Sequence, residues 1–315
     1  MKLTLVKTNF NHHVSMDLYH EFEKTIVQHT DWEQVDGVGS FQARILRQLL
    51  KWMPPFRLPF NSSKNYVVIG FQKEKFFPYF HLKARSKTLW MYDAWEPMFG
   101  EITTAVKQYG INILMTASQQ SAAYFNTLGL KDFKAFWVPE GIDIKQYRFI
   151  DYADRTTDVL QLGRKWNEYH EKIKEIESLG YHYKYEKIAG SIIFSDRDTF
   201  LEGLANSRIS ICVPSDITHP ERTGNISTMT NRYLQSMASK CLIVGKLPAD
   251  MEILFEYNPI VEIDMENPVR QLQDILDNFD RYIPLIEKNY QTVQQKHGWS
   301  NRVAQMEQIV QNFIK

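Results

Sequence analysis

The chain lacks a net charge, with 37 lysines and arginines set against 37 aspartates and glutamates in 315 residues. A duplex binder carries a basic excess or stripe, so nucleic acid is not an expected partner. Cysteine is scarce as well. Cys212 and Cys241 are too few for a disulfide framework, and both sit in short apolar runs (ISICVPS and KCLIVG), where cysteine serves as a small hydrophobe. No run approaches the roughly 20 apolar residues of a membrane span. The N-terminal MKLTLVKTNFNHH turns polar after one strand's worth of apolar residues, too early for a secretory signal, which leaves the cytoplasm as the expected location. Low-complexity tracts and short repeats are missing, which removes solenoids and propellers. No His, Cys and carboxylate cluster has convincing ligand spacing, so neither a metal nor a resident cofactor is expected.

The chain does contain enough apolar residues, 43%, for a large core, and its length suits two domains. Short β-rich runs alternate with longer segments of helical period, the pattern of parallel sheets with helices on both faces. KLTLVK, YVVIGF, KTLWMYD, NILMTA and AFWVPEG read as strands in the first half, and TDVLQLG, YKYEKIAG, RISICVPS, KCLIVGK and PIVEID in the second. Apolar periodicity lapses in the polar stretch 143–157. The expectation is therefore α/β: two Rossmann-like doubly wound domains, 1–150 and 151–300, facing across a cleft, with a helical tail. Residues 301–315 are expected to form a C-terminal helix that packs back toward the first domain. Open α/β sheets bind ligands beyond the carboxyl ends of their strands, so site residues are sought there.

Two strand ends carry the chemistry. VLQLGRKWNEYHEKI ends a strand at Gly163 and follows it with Arg164 and Lys165 just before a helix, an arrangement that suits a diphosphate. HPERTGNISTMTNRYLQSMASKCLIVG places Glu221, a turn of Thr223, Gly224 and Asn225, and the hydroxyls of Ser227 and Thr228 ahead of a second helix containing Arg232. The early N–H groups of a helix lack internal partners and carry the positive end of its dipole, so such a loop can hold phosphate oxygens. The bland alternative is an exposed basic turn and a plain Ser/Thr cap. Asp196-Arg197-Asp198 imitates the carboxylate spacing of a metal site, but Ser195 and Asp198 fit S-x-x-D, a helix cap.

WVPEGID, DVLQLGRK, VPSDITHPERTG and NRYLQSMASKCLIVG together resemble the nucleotide-binding domain of bacterial GT-B glycosyltransferases with a C-terminal "glycosyl transferases group 1" type domain, over residues 136–264. The resemblance implies metal-independent sugar transfer from a nucleoside-diphosphate sugar to a glycan or lipid-linked acceptor in polysaccharide biosynthesis. It also implies that Arg164, Lys165 and the later helix terminus bind the donor diphosphate, and that Glu221 with Gly224 touches the donor sugar. Gln235 stands where the family often has a ribose-binding glutamate. Glutamine still donates and accepts hydrogen bonds but brings no charge.

An inverting transferase also needs a base near the acceptor hydroxyl. Asp93, at the end of the strand KTLWMYD, is the candidate, with an N-cap role as its alternative; Glu96, His12 and His13 are reserves. RILRQLLKWMPPFRLPF, 44–60, reads either as an amphipathic core helix with a Pro-rich turn or as a surface for peripheral association with anionic lipid at the inner membrane face. Two other functions fit the same pattern: a sugar-nucleotide epimerase of the same fold, and a non-catalytic two-lobed small-molecule binding protein.

Overall fold

The computed structural model describes residues 2–9, 17–53, 56–70, 74–163, 165–188 and 193–314. The chain divides into two compact units, Met1–Glu140 with Trp299–Lys315, and Gly141–Gly298. The first unit thus ends just ahead of the polar stretch 143–157.

Six strands build the sheet of the first unit: β1 (Leu3–Lys7), β2 (Glu33–Asp36), β3 (Asn61–Ile69), β4 (Lys83–Met91), β5 (Ile113–Thr116) and β6 (Lys134–Trp137). They pair in the order β2-β1-β3-β4-β5-β6, all parallel. Continuous apolar stretches such as the buried second half of β3 are what a parallel strand covered on both faces requires. β2, with the sequence EQVD, has no such stretch. It holds the sheet edge through its backbone, which is why apolar patterning alone passes over it.

In the second unit β7 (Thr157–Leu160), β8 (Tyr183–Lys184), β9 (Ser207–Cys212), β10 (Leu242–Gly245) and β11 (Val261–Glu262) pair in the order β11-β10-β9-β7-β8, again all parallel. Both sheets are doubly wound: strand order reverses between β1 and β3 in one and between β7 and β9 in the other. YKYEKIAG contributes two paired residues and PIVEID two, shorter than their apolar content suggests, because both strands lie at or beside an edge.

The core of the first unit surrounds Leu5, Phe22, Val67, Trp90 and Met115 and takes in Trp299, Val303, Met306 and Val310 from the helix Trp299–Ile314. Trp299 stacks on Phe22 at 4.2 Å and donates its indole N–H to Glu21 Oε1 at 3.0 Å. In the second unit, apolar clusters on the two sides of the sheet are built around Leu160, Tyr233 and Met237 and around Val159, Tyr169 and Ile211. Cys212 and Cys241 are buried and free. The helical tail breaks at 278–282, and Pro284 opens the helix Ile283–Lys296 from its first turn, where its missing N–H costs nothing.

Candidate functional site

In an open α/β sheet the crevice beyond the strand ends forms where the strand order reverses, which in the second unit is the gap between β7 and β9. β7 runs out into Gln161, Leu162 and Gly163, and Gly163 takes φ +63 with open space beside its α-carbon. That left-handed turn is cheap only for glycine. Gln161 is locked from behind: its Oε1 accepts from Tyr183 OH and lies 3.1 Å from His170 Nδ1. Burial, then Lys165 and Lys174, push the His170 pKa down to about 4, so this imidazole is a neutral strut and not an acid–base group. Arg164 lies outside the described residues. Lys165 is half-buried and donates from Nζ to Glu186 O at 2.8 Å.

β9 leads through Pro214 into two four-residue helices, Ser215–Thr218 and Pro220–Thr223. Glu221 is exposed in the second of these. Thr223, expected in a flexible turn, is instead the fully buried last residue of that helix, and its hydroxyl bonds back to His219 O at 3.3 Å. Gly224 follows at φ 61, ψ −137, and Asn225 is exposed beyond it.

Ser227 and Thr228 do not cap the next helix. It begins at Asn231, behind the N-cap Thr230, and runs to Ala238. The hydroxyls instead serve as donors to carboxylates, and charge-assisted bonds of that kind are strong. Thr228 Oγ1 donates to Asp250 Oδ2 at 2.5 Å, and the Met229 N–H donates to Asp250 Oδ1 at 2.7 Å. Asp250 is buried, and burial raises its pKa to about 6 against the opposing effect of those two bonds. Ser227 hydrogen-bonds Asp216, whose pKa burial also raises.

The helix terminus itself is left open. Among the described residues Thr230 makes no side-chain cap bond and its buried Oγ1 has no partner; Asn231 is 5% exposed, and neither its Oδ1 nor its Nδ2 has a partner there. Unmet buried polar atoms of this kind cost about 1–3 kcal/mol each unless water or a bound group supplies the bonds. Arg232, one residue further, reaches back from Nη1 to Leu162 O at 2.8 Å. That contact joins the helix terminus to the end of β7, next to Gly163. Gln235 is buried on the following turn. Thr230, Asn231 and Asp250 escaped the sequence reading. A T-N pair before an apolar helix is an ordinary cap signal, and Asp250 lies 22 residues beyond the hydroxyl it binds.

The metal-like Asp196-Arg197-Asp198 is a helix cap, shifted by one residue from S-x-x-D. Asp196 is the N-cap of Arg197–Ala205, accepts from the Thr199 N–H at 2.8 Å, and donates its own backbone N–H to Thr199 Oγ1 in return. The carboxylate displaces Ser195 because it is the better acceptor; Ser195 Oγ donates to it at 2.8 Å. No group of three or more His, Cys, Asp or Glu side chains able to hold a metal occurs among the described residues.

In the first unit Asp93 is half-buried two residues past β4, at the carboxyl end of its sheet. It does not cap the next turn, Glu96–Met98, whose N-cap is Trp95. Around it stand Tyr92, whose buried hydroxyl has no partner among the described residues, and Tyr19, whose ring centroid is 4.6 Å from that of Tyr92. The Tyr19 phenol is pushed well above its ordinary range by burial first, then by the charges of Asp93 and Glu140. Glu96 is exposed in the turn, and His12 and His13 lie outside the described residues. At the strand-order reversal of this sheet, Glu23 accepts from the Thr8 N–H and hydroxyl at the end of β1. Burial lifts its pKa to about 7.

Two doubly wound parallel sheets along one chain define the GT-B fold of glycosyltransferases. Solved structures with this fold match the chain end to end. Alr3699/HepE of Anabaena, seen in complex with UDP and glucose, is similar over 99% of this chain and 100% of its own, with a TM-score of 0.59 at 11% identity. Sucrose-phosphate synthase of Thermosynechococcus elongatus covers 99% and 98%, TM-score 0.60 at 10% identity. A glycosyltransferase of Rickettsia africae covers 100% and 99%, TM-score 0.55 at 11% identity. No family model and no curated protein sequence matches the chain.

Proposed function

We propose that the protein is a glycosyltransferase that moves a sugar from a nucleoside-diphosphate sugar to a glycan or lipid-linked acceptor, in polysaccharide biosynthesis on the cytoplasmic side of a bacterial membrane. The observation that carries this reading is the N-terminus of the helix Asn231–Ala238, with a Thr230 hydroxyl and Asn231 amide that have no partner among the described residues, held against the end of β7 by Arg232. A diphosphate satisfies those donors and the first backbone N–H groups together. UDP-glucose, with which the Anabaena protein has been captured, is the first donor to try.

Transfer requires stabilising the negative charge that develops on the departing diphosphate. In this reading Arg164, Lys165 and the helix N-terminus do so without a metal. Gly163 lets the backbone come close, and Ser227 and Thr228 shape the loop from behind. Gln235 binds the ribose, and Glu221 with Thr223, Gly224 and Asn225 borders the donor sugar. Asp93 accepts the proton of the acceptor hydroxyl if configuration inverts, and only binds the acceptor if configuration is retained.

Calorimetry with UDP, GDP, ADP and their sugars tests the reading. Micromolar binding of at least one nucleotide, weakened by Arg164→Ala and by Asn231→Ala, supports it. No binding by any of them, or affinity indifferent to both substitutions, overturns it. Release of nucleoside diphosphate only when an acceptor is added separates transfer from epimerisation and from binding alone. Asp93→Asn should keep donor affinity and lose turnover if Asp93 is the base.

A further inference from the structure

The helix Ser40–Trp52 turns its apolar face outward. Ala43 is buried and Leu46 and Leu50 are half-buried, so one side of the helix packs on the first unit. On another side Phe41, Ile45, Leu49 and Trp52, spaced by four, four and three residues, form a single stripe. They are 72%, 47%, 56% and 83% exposed. Met53 and Phe60, close by in sequence, are also exposed. An amphipathic helix on a soluble domain normally buries its apolar stripe, and an exposed one marks an interaction surface.

Charge distinguishes what would cover it. The segment 40–60 holds Arg44, Arg47, Lys51 and Arg57 and no aspartate or glutamate, in a chain whose total charge is zero. Arg47 is paired with Glu74, Nη2 to Oε1 at 2.7 Å. Arg44 and Lys51 are exposed and, at helical spacing, border the stripe. A second copy set face to face would bring these cations together, whereas a layer of anionic headgroups neutralises them while its acyl boundary takes up the apolar side chains.

We propose that this helix face docks on an anionic phospholipid surface, with Phe41, Ile45, Leu49 and Trp52 inserted below the headgroups and Arg44 and Lys51 at lipid phosphates. Helix orientation is parallel to the bilayer plane. The inference stands apart from the transferase reading: it concerns only the first unit and needs no nucleotide.

Flotation of the full chain with phosphatidylcholine vesicles, with and without about one third phosphatidylglycerol, tests it. The protein should float with the anionic vesicles and remain below with the neutral ones. Phe41→Ser with Trp52→Ser should weaken binding about ten-fold or more, since both side chains bury apolar area only in the bound state. Arg44→Gln with Lys51→Gln should weaken it at low salt and matter less at high salt, where the attraction is already screened. All four positions are exposed, so unchanged circular dichroism and melting are expected of each variant. A chain that stays below with anionic vesicles, or a Phe41/Trp52 variant that floats as the parent does, overturns the proposal. So does a doubling of mass in light scattering without lipid that Trp52→Ser abolishes, which would assign the face to a second copy.

Discussion

Arg232 Nη1 donates to the backbone carbonyl of Leu162 at 2.8 Å, across 70 residues of chain. The bond carries the first turn of one helix to the exit of a strand that is not its sequence neighbour, and so sets side by side the two segments proposed to hold the diphosphate. Arg232→Met keeps the apolar stem and removes the donor, leaving the carbonyl without it. The expected loss is about 1.5–3 kcal/mol of unfolding free energy, as for a hydrogen bond from a charged group, read from urea denaturation. Nucleotide affinity should fall as well, and Arg232→Lys should restore little, because a point charge on a flexible stem does not reproduce a fixed guanidinium.

Asp250 organises the loop before that helix through the Thr228 hydroxyl and the Met229 N–H. Asp250→Ala leaves two buried donors unmet and should destabilise the second unit by about 2–4 kcal/mol. Asp250→Asn keeps one acceptor and should cost less. Denaturation midpoints order the three proteins; equal midpoints for alanine and parent would show that the loop is held by other contacts.

Glu23 gives stability a pH dependence with a definite sign. Its folded carboxyl keeps its proton up to about pH 7, whereas in the unfolded chain the group ionises near its ordinary value of 4.5. The folded state binds more protons in that window, so stability falls as pH rises through it, by up to about 3 kcal/mol from this one group. Glu23→Gln removes the ionisation and should flatten the profile between pH 4.5 and 7, seen in melts across that range. A slope unchanged by the substitution would remove Glu23 as its source.

Trp299 is 1% exposed, stacked on Phe22 and hydrogen-bonded to Glu21. Trp299→Ala empties a ring-sized space in the first unit and should cost about 3–5 kcal/mol. Trp299→Phe keeps a ring against Phe22 and loses the indole bond with part of the packing. Its melting temperature should lie between the two.

Local pattern made much of this molecule legible. Runs such as YVVIGF and KCLIVGK are strands because a parallel strand covered on both faces must be apolar throughout, and that demand is written residue by residue. The alternation of helical and extended periods pointed to two doubly wound sheets. The cap at Asp196 was recognisable too, though one residue off, since hydroxyl and carboxylate compete and only geometry picks the winner.

Other features depend on which distant segments meet. An apolar stripe says that a face avoids water and nothing about what lies on it, so the same signal describes Trp299–Ile314, which completes the core of the first unit, and Ser40–Trp52, whose stripe remains uncovered. Likewise Thr228 and Ser227 read as caps until Asp250 and Asp216 arrive, and the unmet polar atoms of Thr230 and Asn231 exist only once packing has closed around them. Periodicity is a property of neighbours along the chain, whereas pairing, burial and hydrogen-bond competition are properties of neighbours in space.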